Sequence, residues 1–262
     1  MPLGFWSNSW SGPTSSFAVQ SQAETMLLDV GVDPVGSLRA AAIHPSTVSH
    51  VFISHLHSDH SSGFANLIFT RQTLMRKNDP NTKPVQVFAE AVTIQGLRDM
   101  VAIQYPDRKL AIDWHEAEEA KVLSFTESLS VTFLPTRHKI SGLSARLDAP
   151  TGPLVGYQAD SRPTEKDPRF FQGVDLLIAE CFAEGSSPDD RSSTHTKGHS
   201  TFYDALQLAK DAGVSSVLPY HLPETYRADT DFHARAHESF SKSGIDLIDP
   251  LIRSSIHLQS KT

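Results

Sequence analysis

Apolar and polar positions along the chain alternate between two rhythms, one of short strands and one of amphipathic helices. "SSFAV" at 15–19 and "TMLLDVG" at 25–31 are apolar runs around a polar turn at 20–23, and they predict a strand pair. "PVGSLRAAAI" predicts a short helix, and "SHVFIS", apolar and β-branched, a buried strand. "GFANLIFTRQTLMRK" sets Phe64, Leu67, Ile68 and Leu74 at helical spacing. "PVQVFA" predicts the next strand, and "EAVTIQGLRDMVAIQ" a helix with Val92, Ile94, Leu97 and Val101 inside. From about Trp114 to Tyr157 the chain is β-rich, with "LSVTFLP", "SARLDA" and "LVGYQ" joined by short Gly/Pro turns.

Alternation then returns. "VDLLIAEC" predicts a fully buried strand. "STFYDALQLAKDAG" carries clear helix signals, with Ser200 and Thr201 able to cap it, Phe202, Ala205, Leu206 and Ala209 on one face, and Gly213 at its end. "VSSVLPYH" predicts a strand and "ADTDFHARAHESFSKSG" a last helix. Residues 183–198 read as one long polar connection, a length that usually marks a functional loop. This order of elements predicts two sheets packed face to face with helices outside, in one domain over 1–262.

Composition narrows the function. Hydrophobic residues make up 39% of the 262 and charged residues 20%, enough for an ordinary core. A net charge of -7 argues against an extended nucleic-acid surface but leaves room for a nucleotide or an RNA end at a metal site. Cys181, the one cysteine, excludes an intramolecular disulfide and a Cys-rich zinc site, and reads as buried and inert. The N-terminus lacks signal-peptide features and no apolar run reaches membrane-spanning length, so a cytoplasmic protein with no membrane contact is expected.

The chemistry sits in "VFISHLHSDHSSG", where His55, His57, Asp59 and His60 follow a buried strand. Burying such a set without a metal would be costly. Four ligands in six residues crowd one tetrahedral ion, whereas two adjacent ions use the spacing better. Further ligands must come from other strand ends: "VTFLPTRH" delivers His138, "LVGYQAD" Asp160 and "SVLPYH" His221. Each of these could alone be a turn or capping residue, but the repeated arrangement supports all of them.

"HLHSDH" resembles the HxHxDH motif of the metallo-β-lactamase fold superfamily, and His138, Asp160 and His221 follow in that superfamily's order. The resemblance implies an α/β four-layer αββα sandwich with two divalent metal ions. His55, His57 and His138 would hold one; Asp59, His60 and His221 the other; Asp160 would bridge them. Zinc is the expected metal, and manganese or iron suit the same ligands. Zinc β-lactamases generally lack the bridging aspartate, and "LPTRHKISG" differs from the TPGH-type run of glyoxalase II and the acyl-homoserine lactonases. "GYQADSRP" resembles the SGDTRP segment of ribonuclease Z-like proteins, and "GHSTFYDALQLAKDAGVSSVLPYH" their HST-helix-strand-His segment. The tRNA nucleases of that branch carry an arm between the ligands matching His138 and Asp160, where this chain has no room for one, and "GFWSNSW" departs from their GTG-type start.

The expected activity is therefore a phosphodiesterase acting on a small or nucleotide-like ester through a metal-bridging hydroxide. Lactone, thioester or aryl sulfate hydrolysis on the same site is the alternative, tRNA 3′-end cleavage is disfavoured, and a metal-bound regulatory protein is the non-enzyme reading. Asp59 would orient the nucleophile and take its proton, and His199, before a helix N-terminus, would be the general acid. His195 is expected to line the pocket, Ser161 to bind ligand, Arg162 to brace a loop, and Glu180 to support a ligating histidine. His44, His50, His115, His233, His237 and His257 read as surface or structural. Phe5, Trp6 and Trp10 are expected at the pocket or at a homodimer contact, dimers being common in the branch.

Overall fold

Alternate side chains of the four central strands of the first sheet enter two different cores, and this fixes the layers of the molecule. The computed structural model describes the chain except at residues 9, 22–23, 79–82, 127–128, 253–255, 257 and 259–262. β1 (Pro2–Gly4), β2 (Ser16–Ser21), β3 (Glu24–Leu28), β4 (Val48–Phe52), β5 (Val85–Ala89) and β6 (Ile112–Glu116) lie side by side in that order. β1 to β3 pair antiparallel, and β3 to β6 pair parallel. Met26, Leu28, Phe52 and Phe88 face the core between the sheets, where the Phe52 ring lies 5.4 Å from that of Phe133. Leu27, Val51, Ile53 and Val87 face the other way. They meet Leu38 of α1 (Pro34–Ala40), Phe64, Leu67 and Ile68 of α3 (Phe64–Asn78), and Ile94 and Leu97 of α4 (Ala91–Gln104). Between α1 and α3 lies α2 (Ser58–Ser61), a single turn just beyond β4.

The second sheet holds β7 (Leu123–Thr126), β8 (Leu129–Pro135), β9 (Leu143–Ala149), β10 (Gly152–Tyr157), β11 (Leu176–Glu180), β12 (Ser216–Tyr220) and β13 (Asp246–Leu247), also in sequence order. It repeats the same plan, antiparallel from β7 to β10 and parallel from β10 to β13. Its outer helices are α5 (Asp167–Phe170), α6 (Pro188–Lys197), α7 (Phe202–Ala212), α8 (Glu224–Ala228) and α9 (Thr230–Lys242). α7 packs on β11 and β12, and α9 on β13. Two mixed sheets flanked by helices are what the sequence order predicts.

Some local expectations are corrected. Residues 183–198 contain α6, whose start is set by Ser187 accepting a hydrogen bond from the Asp190 N–H, by Pro188 in the first turn and by Asp189 and Asp190 near the positive helix end. Gly198, at φ 90°, ends it. The cap of α7 is Thr201 alone, in a reciprocal box with Asp204, and Leu208 joins Phe202, Ala205 and Ala209 on its buried face, with Leu206 half-buried against the same core. Val92 is 57% exposed, because Thr93 takes the inward position of that turn. His257 falls outside the described residues. Among the described residues, no helix is long and apolar enough to cross a membrane.

Strand ends converge along one edge of the sandwich. Asp29 follows β3, the His55–His60 segment follows β4, His138 follows β8, Asp160 follows β10, Glu180 ends β11 and His221 follows β12.

Candidate metal centre

The loop after β4 is built around a buried carboxylate that sequence reasoning missed. Asp29 is fully buried and sits at φ 59°, a left-handed conformation that only surrounding structure can enforce. Its Oδ1 accepts the Ser54 N–H at 2.6 Å. Its Oδ2 accepts the Ser54 hydroxyl at 2.7 Å, His60 Nδ1 at 2.6 Å and the Tyr157 hydroxyl. His60 is thereby fixed with Nε2 pointing into the site, 3.2 Å from Asp160 Oδ1 and 3.5 Å from Asp59 Oδ2. His57 caps the single-turn helix that carries Asp59 and His60, so the helical turn separates side chains that an extended chain would crowd.

Three imidazoles form one group. His57 Nδ1 lies 3.1 Å from His55 Nε2 and 3.0 Å from His138 Nε2. His138 Nδ1 is held by the Gly198 carbonyl at 2.8 Å, and His55 Nδ1 by Ser54 Oγ at 2.9 Å. With Asp160 these residues offer ligand atoms all within 4.8 Å of one another. Asp59, His60, Asp160 and His221 form a second such group, with His221 Nε2 3.1 Å from Asp59 Oδ2 and 3.0 Å from Asp160 Oδ2. Asp160 belongs to both groups. Its Oδ2 is buried yet makes no hydrogen bond of proper geometry, although His221 Nε2 is close by. An orphaned buried carboxylate oxygen among imidazole nitrogens suits a cation, and imidazole with carboxylate is a zinc-type donor set. The site residues therefore fit the divalent ions that the motif implies.

Electrostatics agree with a site that must be neutralised. Burial works against the charged form of every group here. It holds His55 well below the usual histidine range, with the His60 charge adding to the effect, and it also lowers His57 and His138. For His60, burial is outweighed by the Asp160 and Asp29 carboxylates, which push it well up. His221 is raised to about 10 against burial, chiefly by Asp160. Burial would raise Asp59 and Asp160, but the neighbouring histidines carry both well below the carboxylate range.

His199 and Glu180 form a third group with Asp160 and His221. Glu180 accepts His199 Nδ1, and its Oε2 accepts the Ser161 and Ser200 N–H groups at 2.8 and 3.1 Å. Glu180 thus supports His199 first, with His221 Nδ1 farther off at 3.8 Å. His199 stacks on Phe182, ring centres 4.5 Å apart, and burial lowers it to about 4.

A cleft of about 430 Å³ opens beside His138. Arg137, Lys139, Arg162, His195, Thr196 and Gly198 line it. His195 reaches it from a helix rather than a loop and is held by Asp204 at 2.8 Å. Ser161 is committed internally: its hydroxyl donates to the Arg162 carbonyl at 2.8 Å and accepts the Arg137 N–H at 2.9 Å, fixing the two arginine backbones.

Phe5 and Trp6 are buried away from the cleft, and Trp10 is 88% exposed. Their segment has another task. Phe5 O accepts the Leu222 N–H at 3.0 Å, and Ser7 donates to the Leu222 carbonyl from both N and Oγ. This clamps the residue beside His221, which itself sits at φ 57°.

A family model described as a beta-lactamase superfamily domain matches residues 24–222. The chain belongs to the metallo-β-lactamase superfamily, in its ribonuclease Z-like branch. Ribonuclease Z of Thermococcus onnurineus is 26% identical, over 85% of this chain and 83% of its own. Among solved structures, the metallo-β-lactamase fold protein YhfI from Bacillus subtilis superposes with a TM-score of 0.75 at 22% identity, covering 94% of this chain and 93% of that one. The short form of human tRNase Z gives a TM-score of 0.72 at 19% identity, covering 86% and 92%. Membership and the His/Asp clusters together make this superfamily member a metal-dependent hydrolase.

Proposed function

We propose that the chain is a dinuclear phosphodiesterase that cleaves a small or nucleotide-like ester. The observation that carries this reading is the cationic rim. In a chain of net charge -7, Arg137, Lys139 and Arg162 surround the cleft at His138. Such a rim suits an ester that stays anionic at neutral pH, as a phosphodiester does and a lactone does not.

His55, His57 and His138 would hold one cation, and Asp59, His60 and His221 a second, with Asp160 common to both. Two divalent ions, zinc first, would supply Lewis acidity and a water acidic enough to attack phosphorus at neutral pH. The arginines orient the ester through paired N–H donors. Asp59, kept ionised by His221 and His60, accepts the proton of the attacking water. His199 donates Nδ1–H to Glu180, so its Nε2 is the atom available to protonate the departing oxygen. Burial, with the His221 and His60 charges, disfavours the imidazolium; the Asp160 and Asp59 carboxylates and a bound phosphodiester anion favour it.

Names of the relatives raise tRNA 3′-end cleavage as a second substrate class. Against it, the chain passes from His138 to Asp160 through the β9–β10 hairpin alone, with two residues between the strands. The test is a panel of p-nitrophenyl phosphodiester, sulfate and carboxylic ester, a lactone, and a tRNA precursor with a 3′ trailer, run on metal-loaded protein. The phosphodiester should turn over fastest, and His199→Ala should lower its kcat by about 10²–10⁴-fold with metal content unchanged. Turnover of the lactone or of tRNA without the phosphodiester would replace this proposal.

A further inference from the structure

His233 and His237 were expected to be surface or structural residues with no shared partner, but α9 brings them together with Asp249. The two histidines stand one helical turn apart on one face, ring centres 4.5 Å apart. Asp249 arrives from the segment just after β13, against which α9 packs. His233 Nε2 lies 3.3 Å from Asp249 Oδ2, and one ligand atom from each of the three residues falls within 4.8 Å of the others. Asp249 Oδ1 is occupied by the Leu251 N–H at 2.8 Å, so Oδ2 is the oxygen turned toward the histidines.

A second observation singles out this place. His237 Nε2 is buried and has no hydrogen-bond partner. The Tyr226 hydroxyl is in the same condition, on a residue only 1% exposed. The Tyr226 ring lies 5.0 Å from that of His233, and its hydroxyl is pushed up by burial and by the Asp249 carboxylate, so it stays a donor. Orphaned polar atoms gathered around a His-His-carboxylate set are unusual in a packed structure and suggest an absent partner.

We propose that His233, His237 and Asp249 form a further divalent-metal site, separate from the catalytic centre and suited to zinc. It shares no residue with that centre. Two imidazoles and one carboxylate with a fourth position for water is a zinc-type set; calcium and magnesium would ask for more oxygen ligands. A cation there ties α9 to the chain leaving β13, so its role is to fasten the last part of the fold, with Tyr226 donating to the ligand sphere.

The test is a metal count on the purified holoprotein by plasma mass spectrometry, in wild type, His237→Gln and Asp249→Asn, each saturated with Zn2+ and desalted. Each variant should hold one equivalent fewer than wild type while turning over the p-nitrophenyl phosphodiester, or whichever substrate wild type prefers, at an unchanged rate. Added Zn2+ should raise the Tm of wild type beyond that of His237→Gln. Asp249→Asn is isosteric and keeps the proposal testable if the histidine variant does not fold. Equal metal content in wild type and a folded variant overturns the proposal. Loss of the equivalent together with activity also overturns it, because the metal would then belong to the catalytic centre.

Discussion

Asp29→Asn should damage one half of the metal centre and spare the other. Asp29 Oδ2 is the acceptor for His60 Nδ1–H, the Ser54 hydroxyl and the Tyr157 hydroxyl, while Oδ1 serves the Ser54 N–H. An asparagine of the same shape keeps Oδ1 but presents an NH₂ donor where three donors already point. The two hydroxyls can rotate. His60 can only give up its Nδ1 proton and carry it on Nε2, the nitrogen that faces Asp59 and Asp160. Losing a hydrogen bond to a charged acceptor costs about 1.5–3 kcal/mol of folding stability. Losing the partner that orients a ligating histidine costs about 10–100-fold in metal affinity, or about 1.4–2.7 kcal/mol. His60 belongs to the Asp59–His221 group and not to the His55–His57–His138 group, so of the two cations proposed for the centre only the one at the Asp59–His221 group should be held more weakly. Competition against a chromophoric chelator resolves the two steps, and thermal unfolding of the metal-free chain measures the stability loss. Two unchanged affinities beside a lowered Tm would show that Asp29 serves the fold alone, and the tautomer argument would fail.

Three other outcomes are expected. Arg162→Ala should raise KM for an anionic phosphodiester by about 10–100-fold, the worth of one charged hydrogen bond, with Arg137→Ala raising it further, and leave a neutral ester unaffected in steady-state assays. Gly63→Ala would set a Cβ 2.3 Å from the Gly31 carbonyl oxygen and 2.5 Å from Pro34 Cδ, so the denaturant midpoint should fall by the equivalent of about 1–3 kcal/mol. His50, stacked on Phe88, is lowered from 6.5 to about 4 by burial, with the His115 and Arg71 charges adding to it. A base whose folded pKa is depressed binds its proton more readily when unfolded. Its stabilising effect is therefore complete above pH 6.5 and is lost as pH falls toward 4. His50→Phe should flatten that part of the Tm-against-pH curve, and an unchanged slope would contradict the assignment.

Most of the metal centre was legible because its residues sit where apolar strands stop, a pattern visible without any fold. "VFISHLH", "VTFLPTRH", "LVGYQAD" and "SVLPYH" each show it. Asp29 ends "TMLLD" in the same way and is open to the same rule, but the expected strand runs on to Gly31, whereas the observed one stops at Leu28. α6 was missed because its sequence, "PDDRSSTHTK", has almost no apolar face to give a helical period; only its caps reveal it. The roles of Ser161 and the Phe5–Ser7 segment depend on contacts 24 and more than 200 residues away, which local patterns cannot carry. The His233, His237 and Asp249 group was hidden for a related reason. A pair at helical spacing is common, and its meaning depends on a carboxylate that only the turn after β13 supplies.

The two sheets follow the same plan, and neither owns the metal centre. His55, His57, Asp59 and His60 extend from the first; His138, Asp160 and His221 extend from the second. A cation bound among them is therefore a clasp across the seam of the sandwich, and its affinity contains the free energy of keeping the halves shut. By mass action, a divalent cation favours the closed seam and a chelator favours its opening. Resistance to proteolysis along the seam should then track free divalent-cation concentration in His199→Ala as in wild type.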